Sequence, residues 1–567
     1  MTRAWRKWSG GRRRVLAAAV TIATAGGLAL AAEPAQAVSL CVGGSGCYPT
    51  IQAAVDAAHA GDTITIGAGT FAGGVTITKS LHLQGAGAAS TIIRGGDHVL
   101  TIGAYGAASE PTVSIGGVTV TGGLARSSPV SVPLFGKAGA WAAGGGIEIP
   151  PGTHLADGAT VTILDSVITG NRANPDTSIP SGISCPGGFP QGQCPFAPAS
   201  GGGIDSWGAL TLIRTTVAGN SAGAAPGQPG TTSDANGGGI YSRQGGLTLD
   251  HAIVSGNQAT ATSPAGRFAE GGAIWAGVPD FGPGTDSGRE TLVIKDSVIA
   301  GNTSSLSTDL PAEFGGQVRN LVANGGGVIV AGRTPTTTVE NTVISKNTAI
   351  ATDPKGEGGA LDAGMNVTGG TLTMSGSIVS GNRAMTETGT SEGAAFAGGA
   401  LEADGGGTIS GTRITGNVGS VDSPHSAAGV AGALGVFAND SLLTVRDSVI
   451  TGNTATASSS TGSADVQGVG VFNGGLLTLV NVTVSGNSGR ATGPSGAAQG
   501  GGIWNSTDIT GPPVQLTLQH TTVTHNSVAG SHGITAQGGG LFSAPPATVV
   551  LRDSLITQNV PDQCSGC

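Results

Sequence analysis

Charged and aromatic residues are scarce in this sequence, at 10% and 4% of its 567 positions. Acidic residues outnumber basic ones, 34 to 25, and the sequence has no basic patch beyond its N-terminus, so nucleic acid is not an expected partner. Long helical periodicity is nearly absent. The Gly-X-Y period of collagen is absent as well, although glycine takes 103 positions. With these classes excluded, a β-rich fold is the expectation, since Val, Ile, Thr and Leu fill the segments between glycines.

Long apolar runs are also missing, except at the N-terminus. A basic segment over residues 3–14 precedes an apolar stretch over residues 15–32, and Ala35-Gln36-Ala37 fits a cleavage site. We therefore expect residues 1–37 to be a secretion signal, the mature protein to be secreted, and no membrane span to remain after cleavage. Arg12-Arg13-Arg14 leaves twin-arginine export open beside the general route. Cleavage removes six basic residues and one acidic residue, which changes the net charge from −9 to −14.

Cysteine is limited to six residues, which fall into three close pairs: Cys41 with Cys47, Cys185 with Cys194, and Cys564 with Cys567. In an exported chain this spacing predicts three local disulfides. A zinc site would need four converging ligands, and no cluster of cysteine or histidine supplies them.

One repeated phrase accounts for most of the remaining sequence. A glycine-rich step leads into an aliphatic residue, then a short apolar strand, and then a second strand that ends in asparagine. These asparagines stand mostly 33 to 39 residues apart, with gaps of 49 and 45, at Asn171, Asn220, Asn257, Asn302, Asn347, Asn382, Asn417, Asn453, Asn487, Asn526 and Asn559. Such a period predicts a solenoid, in which each coil buries its apolar face by stacking on its neighbours.

The segment before the repeats predicts a cap. Thr50 is a candidate N-cap, and Ile51, Ala54, Val55 and Ala58 share one helical face, so we expect a short helix over residues 50–59 that covers the end of the core. We expect residues 38–125 to form the cap and first coils, 126–563 the repeats with variable loops, and 564–567 a Cys-x-x-Cys end. Each coil is expected to have three strands, with its variable loop leaving from one edge, before the glycine step.

The phrases IQAAVDAA, GDTI, GTF and SLHLQG within residues 51–85 resemble the N-terminal cap and first coils of pectin-lyase-like parallel β-helices. The GGGI, LTL and GN units resemble the repeats of chlamydial polymorphic outer membrane proteins and related bacterial β-helix proteins. The resemblance covers about residues 47–560 and implies an all-β fold, a single right-handed parallel β-helix. It does not assign a reaction, because that superfamily includes lyases, esterases, glycosidases and adhesins. The GxxDFIFG-like segment of pectin methylesterases and the adjacent aspartates of polygalacturonases are both missing.

Two repeated positions are interpreted as scaffold. The terminal asparagines should stack at strand spacing, with their amides hydrogen-bonded to one another and to the backbone. Six residues before each asparagine we expect a bend, because all but one of these residues tolerate a left-handed backbone. The bend positions are Asp165, Arg214, His251, Asp296, Asn341, Gly376, Gly411, Asp447, Asn481, His520 and Asp553.

The candidate functional residues directly follow the aliphatic residue of each glycine step. Strand side chains alternate, so if Ile147 and its equivalents point inward, the next residue should face solvent. This predicted outward column consists of Glu148, Asp205, Tyr241, Trp275, Ile329, Asp362, Glu402, Gly435, Phe472, Trp504 and Phe542. Trp207, Arg243 and Asp404 stand two places further along their strands.

Two groups in this column carry reactive side chains: Glu148, Asp205, Trp207, Tyr241, Arg243 and Trp275 form the first cluster, and Asp362, Glu402 and Asp404 form the second. Carboxylates on neighbouring rungs would lie about 5 Å apart. That distance suits a retaining glycosidase, and it would equally let carboxylates hold Ca²⁺ for a β-elimination lyase. Glu148, Asp205, Asp362 and Glu402 are the catalytic candidates. Trp207, Tyr241, Arg243, Trp275 and Asp404 are the substrate-binding candidates.

The leading functional hypothesis is a secreted, monomeric β-helix protein that binds, and could process, extracellular polysaccharide. One alternative is a non-catalytic surface, adhesive or structural module, in which the same residues merely pack under overlying loops. Another is a polysaccharide lyase or glycoside hydrolase. Ca²⁺ is the one cofactor that the acidic positions suggest.

Overall fold

The computed structural model describes residues 37–567, with gaps at residues 127, 133–135, 154–157, 175–198, 225–232, 263–265, 278–290, 308–312, 315–316, 319–320, 333–334, 354–357, 369, 389–394, 430–431, 438–440, 507–513 and 532. Val38–Cys567 form one compact unit. In each full coil the chain passes through five sheets in a fixed order, here called sheets 1 to 5. Among the described residues, no helix has the length and apolar character needed to cross a membrane.

Sheet 1 has fifteen parallel strands, which carry the LTL phrase. Along each strand, inward aliphatic residues alternate with outward polar ones; in Thr371–Ser375, Leu372 and Met374 are buried. The strands are Ser39–Val42, Thr63–Ile66, His82–Gly85, Thr112–Gly116, Gly158–Leu164, Gly208–Ile213, Leu247–Asp250, Thr291–Lys295, Thr336–Glu340, Thr371–Ser375, Gly407–Ser410, Leu442–Arg446, Leu476–Val480, Gln515–Gln519 and Thr548–Arg552.

Sheet 2 has fourteen strands and follows sheet 1 after the bend. In most coils a single central Val or Ile points inward and completes the main core, which lies between sheets 1, 2 and 5. The strands are Gly69–Ala72, Thr91–Arg94, Thr119–Thr121, Val167–Thr169, Thr216–Ala218, Ile253–Ser255, Val298–Ala300, Val343–Ser345, Ile378–Ser380, Arg413–Thr415, Val449–Thr451, Thr483–Ser485, Thr522–Thr524 and Leu555–Thr557.

Sheet 3 has eleven strands and begins after each terminal asparagine. Its strands are Leu124–Ala125, Arg172–Ala173, Ser221–Ala224, Gln258–Thr262, Thr303–Ser307, Thr348–Asp353, Arg383–Thr388, Val418–Asp422, Thr454–Ser458, Ser488–Thr492 and Ser527–Gly530. Sheet 4 has twelve, of which only Ser128–Val132 runs antiparallel to its neighbour. These are Ser128–Val132, Gly136–Ala143, Ala199–Ser200, Ser233–Asn236, Gly266–Glu270, Leu321–Asn324, Gly358–Leu361, Ala395–Ala397, Ser426–Gly429, Ser463–Gln467, Ala497–Gln499 and Thr535–Gln537.

Sheets 3 and 4 enclose a second core built mainly from alanine, including Ala259, Ala351, Ala384 and Ala457. Alanine adds little side-chain volume, which lets these two sheets approach closely. The prediction of three strands per coil is therefore wrong: a full coil has five. Most strands of sheets 3 and 4 are rich in Ala, Gly, Ser and Thr and carry at most one or two of the Val, Ile and Leu residues that mark a strand in a sequence.

Sheet 5 carries the aliphatic residue of each glycine step and has fourteen strands: Val75–Ile77, Leu100–Ile102, Ile147–Ile149, Ile204–Ser206, Ile240–Arg243, Ile274–Gly277, Val328–Ala331, Met365–Thr368, Leu401–Ala403, Leu434–Val436, Val471–Asn473, Ile503–Asn505, Leu541–Ser543 and Cys564–Ser565. Outside the five sheets, Glu313–Phe314 and Gln317–Val318 form a hairpin. Apart from Ser128–Val132, the strands of all five sheets stack in parallel, which confirms the predicted single right-handed parallel β-helix.

The connections between strands leave the coil at two edges. The described strands on either side of residues 174–198 belong to sheets 3 and 4, as predicted, but the described segment over residues 103–111 connects sheet 5 to sheet 1. The expectation that all variable loops leave before the glycine step is therefore wrong. Parallel β-helices tolerate insertions wherever the backbone turns between sheets, because the hydrogen-bonded ladders are not interrupted there.

The N-terminal end is capped by the helix Ile51–Ala57, in agreement with the prediction. Thr50 Oγ1 accepts a hydrogen bond from Ala53 N at 3.1 Å, and Ile51 and Val55 are buried against the first coil. Lys79 Nζ donates to three carbonyl oxygens at the end of the helix, those of Val55, Asp56 and Ala58, at 2.8–3.2 Å. The helix thus covers the first rung and is itself tied to the coil below it.

The terminal asparagines form the predicted ladder, and ten of the eleven are fully buried. From Asn171 to Asn526, each asparagine donates its backbone N–H and its side-chain amide to Oδ1 of the next one, at 2.8–3.1 Å. Gln563 ends the ladder, since its Oε1 accepts from Asn559 as another asparagine would. All eleven predicted bend residues have positive φ, Arg214 included.

Two of the three predicted disulfides are formed, Cys41–Cys47 and Cys564–Cys567. The third, Cys185–Cys194, lies outside the described residues. The boundaries assigned to the signal, the cap and the repeats stay predictions.

Candidate functional site

The candidate column is continuous on sheet 5, because the strands pair in parallel and in register. Glu148 pairs with Asp205, Asp205 with Tyr241, and Tyr241 with Trp275. Ile329, Asn366, Glu402, Gly435, Phe472, Trp504 and Phe542 follow. The prediction was right for every rung except one, where Asn366 stands in place of Asp362.

That rung was misassigned because two glycine-aliphatic phrases occur close together. Gly358–Leu361 belongs to sheet 4, where Leu361 pairs with Asn324, and Met365 is the sheet 5 residue that pairs with Val328. Asp362 lies in the turn between the two sheets with φ +42°. Other coils place a glycine with positive φ at this turn, as at Gly144 and Gly201.

The column does not face solvent, so the predicted orientation is wrong. Glu148 is 2% exposed and Asp205 is 0% exposed, while their neighbours Ile147 and Ile204 are buried on the core side. Sheet 5 is therefore covered on both faces. Side chains that alternate along a strand point to core and solvent in turn only when one face of the sheet is exposed. In sheet 5 both sets of side chains are buried, in two different layers.

The first cluster centres on Glu148 and Asp205. Tyr105 donates its hydroxyl to Glu148 Oε1 at 2.8 Å, and Ser200 donates to Asp205 Oδ2 at 2.5 Å. Arg243, 1% exposed, places Nη2 3.9 Å from Asp205 Oδ2. Gly144 makes room for this arrangement, since a β-carbon there would collide with Glu148 Oε2. The cluster thus combines two carboxyls and a guanidinium away from bulk water with the phenol of Tyr105, a partly exposed residue.

Aromatic rings enclose the guanidinium. The Arg243 Cζ atom lies 4.1 Å from the Trp207 ring centroid and 4.3 Å from that of Tyr241. Tyr241 in turn stacks on Trp275, with centroids 4.5 Å apart, and Trp275 Nε1 donates to Glu270 at 3.1 Å. The structure brings all six predicted members of this cluster together, four in the column and Trp207 and Arg243 beside it. Both faces of the Tyr241 ring are occupied by protein groups, so that ring is not an open platform for a sugar.

Burial governs the protonation of the two acids. Desolvation and the neighbouring Asp205 carboxylate raise the pKa of Glu148 well above its usual range, against smaller opposing effects of Tyr105 and Arg243. Desolvation also raises the pKa of Asp205, and Arg243 opposes that increase. The pKa of the Tyr105 phenol is raised by desolvation and by Glu148. The ionisation of each of these two adjacent carboxyls therefore depends on the other and on the Arg243 guanidinium, because all three groups lie in a region of low polarity.

The second cluster contains Asp362, Asn366, Glu402 and Asp404. Asn366 Nδ2 donates to Asp362 Oδ2 at 2.8 Å and to Glu402 Oε2 at 3.2 Å, so the amide bridges the two predicted acids. Asp404 Oδ1 accepts from Phe437 N at 3.2 Å and lies toward the surface. Burial raises the pKa of Asp362 to about 6, and burial with Glu402 raises that of Asp404 to about 8. The pKa of Glu402 is raised well above its usual range, first by burial and then by Asp362.

Of the two predicted clusters, the second offers the better ligands for Ca²⁺. Its side chains offer carboxylate and amide oxygens, the ligands that this cation prefers, and Asp404 would provide access from the surface. The first cluster does not suit a cation, because the Arg243 guanidinium already occupies the position beside Asp205. A third group, Asp250, His251 and Asp296, brings its ligand atoms within 4.8 Å of one another at the surface of the bends.

Sequence reasoning missed three members of these clusters: Tyr105, Ser200 and Asn366. Tyr105 lies in the irregular segment between the second sheet 5 strand and the next sheet 1 strand, where no repeat marks it. Ser200 lies in sheet 4, a sheet that the sequence did not predict. Asn366 had no usable signal either, because the spacing from the column to the terminal asparagine varies from 15 residues (Asp205 to Asn220) to 27 (Trp275 to Asn302).

No family model matches the chain, and neither does any curated protein. Among solved structures, the chain is similar to the A-module of the mannuronan C-5 epimerase AlgE6 of Azotobacter vinelandii, at 15% identity. That match covers 88% of this chain and 94% of the other, with a TM-score of 0.30.

Proposed function

We propose that this protein is exported and binds extracellular polysaccharide, and that Glu148, Asp205 and Arg243 form its carbohydrate-processing site. The observation that carries the proposal is the pair of buried carboxyls on adjacent rungs of sheet 5, beside a buried guanidinium. Burying these charged groups costs desolvation free energy, and the packing contacts around them do not compensate for it.

The β-helix itself does not require acids at this position. In other rungs the same column holds Ile329, Phe472, Trp504 and Phe542, which are buried without charge. Apolar residues therefore satisfy the scaffold, and charged residues at two neighbouring rungs need another reason. Acid–base chemistry supplies one, because desolvation moves the pKa of a carboxyl toward neutral pH, where it can exchange protons.

The expected substrate class is a polysaccharide that carries uronate groups. Arg243 can pair with a sugar carboxylate once Asp205 is protonated, and its guanidinium is already oriented by Trp207 and Tyr241. Two reactions use such a constellation. A hydrolase would use one carboxyl as acid and the other as nucleophile, and a lyase would use a base beside a charge-neutralising group.

The test is a panel of neutral and uronate-containing polysaccharides, assayed with the mature protein with and without Ca²⁺. Unsaturated products that absorb in the ultraviolet identify a lyase, and new reducing ends without that absorbance identify a hydrolase. Asp205→Asn and Glu148→Gln should abolish turnover, with circular dichroism unchanged. The exposed Glu387→Gln is the matched control and should behave as the parent does.

A second candidate function is a non-catalytic adhesive or spacer module. The burial of the whole column favours it, because a glycan reaches Glu148 and Asp205 only if their cover moves. Retardation of the parent and of Asp205→Asn on a glycan gel, without product from either, would support this module. Trp275→Ala is a poor binding test, since the loss of a buried stacked ring costs about 3–5 kcal/mol of stability.

A further inference from the structure

The segment between the sheet 5 strand Leu100–Ile102 and the sheet 1 strand Thr112–Gly116 lies over the first cluster. Two hydrogen bonds near its middle tie it to the residues that follow Ile147–Ile149: Gly106 N donates to Pro151 O, and Thr153 N donates to Ala107 O, both at 3.0 Å. Positive φ at Gly103 and Gly106 lets the chain turn sharply on either side of Tyr105. Tyr105 is therefore held in a defined position against the residues that follow Ile147–Ile149.

Tyr105 differs from the other members of the cluster in its access to water. Its side chain is 49% exposed, whereas Glu148, Asp205 and Arg243 are each at most 2% exposed. Its hydroxyl is turned inward and donates to Glu148 Oε1 at 2.8 Å. One side chain thus touches both the solvent and the buried acid.

We propose that Tyr105 is the proton-relay residue of this site and connects Glu148 to a sugar bound at the surface of the segment. This inference rests on the proposed function for its catalytic part. A proton leaves a hydroxyl or C–H group of the sugar for the phenolic oxygen of Tyr105, while the phenolic proton passes to the Glu148 carboxylate. The electron pair of the broken bond stays on the sugar. Tyr105 ends unchanged and Glu148 ends neutral.

Several charges set the protonation of Glu148. Tyr105, Asp205 and Arg243 act on it directly, and His98, whose Nδ1 is 2.9 Å from Gly144 O, acts on Asp205. Of these groups, Tyr105 donates a hydrogen bond to Glu148 and belongs to a side chain that is partly exposed to solvent. The hydrogen bond favours the carboxylate, so its loss should raise the pKa of Glu148.

The experiment compares the parent with Tyr105→Phe, and with Tyr48→Phe as the matched control, since Tyr48 is an exposed tyrosine of the first coil. The carboxyl carbons are titrated by NMR in protein labelled with ¹³C-glutamate, and Glu148→Gln assigns the Glu148 signal. Tyr105→Phe should move the Glu148 midpoint upward, and Tyr48→Phe should leave it in place. Thermal unfolding confirms that both variants fold.

The second measurement is turnover against pH on any polysaccharide that the parent processes. Tyr105→Phe should lower kcat at least about 100-fold, with KM little changed, as expected for the loss of a proton-transfer group. The relay is wrong if Tyr105→Phe keeps the parental kcat, or if the Glu148 midpoint does not move. If the parent processes none of the polysaccharides, the proposed function fails. In that case, an unchanged titration midpoint of Glu148 in Tyr105→Phe would still overturn the relay. A raised midpoint would support the hydrogen bond between Tyr105 and Glu148 on which the relay depends.

Discussion

Asp404 lies at the surface end of the second cluster, and its ionisation makes the stability of the protein depend on pH. Its pKa is raised to about 8, above the ordinary value of 3.8 that applies in the unfolded chain. Between these values the unfolded chain has released a proton that the folded protein retains. Raising the pH from about 4 to 8 therefore lowers the free energy of unfolding.

Asp404→Asn should reduce the loss of stability at higher pH, because a neutral amide replaces a carboxyl that must ionise where it is partly buried. We expect the difference in stability between pH 5 and pH 8 to shrink by on the order of 1 kcal/mol. Thermal unfolding at the two pH values measures it, with the exposed Asp422→Asn as control. If Ca²⁺ binds this cluster, its addition at pH 8 should stabilise the parent and have less effect on Asp404→Asn. Equal pH dependence in parent and variant would contradict the prediction.

At the scale of the element, the asparagine ladder is a row of buried side chains joined by hydrogen bonds from coil to coil. Asn347 accepts from the backbone N–H and amide of Asn302, and donates to Asn382 and to Ile299 O, at 2.9–3.0 Å. Asn347→Ala leaves these buried partners without a hydrogen bond, at a cost of roughly 1–3 kcal/mol for each one that finds no substitute. Urea unfolding should therefore show a large loss of stability.

The matched control is Asn341→Gly. Asn341 is an exposed asparagine of the neighbouring bend with φ +48°, a conformation that glycine adopts without strain. We expect a change within about 0.5 kcal/mol there. A similar effect of the two substitutions would mean that the ladder contributes no more than an ordinary surface asparagine.

The N-terminal cap depends on Lys79, which donates to three carbonyl oxygens at the end of the helix Ile51–Ala57. Lys79→Met keeps the length of the side chain and removes these donors. Amide hydrogen exchange should accelerate in residues 51–66 and stay unchanged beyond residue 140, because a coil contacts only its neighbours. Lys295→Met is the control: its ion pair with Glu340 at 3.1 Å is exposed and worth at most about 1 kcal/mol. Faster exchange along the whole chain would contradict this local role.

At the scale of the whole molecule, the β-helix should tolerate removal of one complete coil. Deleting residues 348–382 joins Asn347 to Arg383, which starts the equivalent strand of sheet 3, since Thr348 pairs with Arg383. The ladders of all five sheets can then close in register. We expect a folded β protein by circular dichroism, with stability lowered by roughly one repeat and its interface. Deleting residues 348–364, about half a coil, should prevent folding, and equal behaviour of the two deletions would contradict a modular stack.

The sequence by itself determined the features that depend on local spacing. The repeat of asparagines predicted the ladder, the residues six places earlier predicted the left-handed bends, and Thr50 predicted the start of the capping helix. These positions are constrained by the backbone of their own coil and by the identical position in the next coil. Their period is therefore visible along the chain.

Features that depend on contacts between distant parts of the chain could be known only from the tertiary structure. The alanine-rich strands of sheets 3 and 4 have only a weak apolar signal of their own, and their small side chains become a core where the two sheets pack face to face. The register at Met365, the burial of Glu148 and Asp205, and the contact of Tyr105 with Glu148 depend on segments far apart in the sequence. Alternation tells which residues share a face of a strand, but only the folded chain decides whether that face is covered.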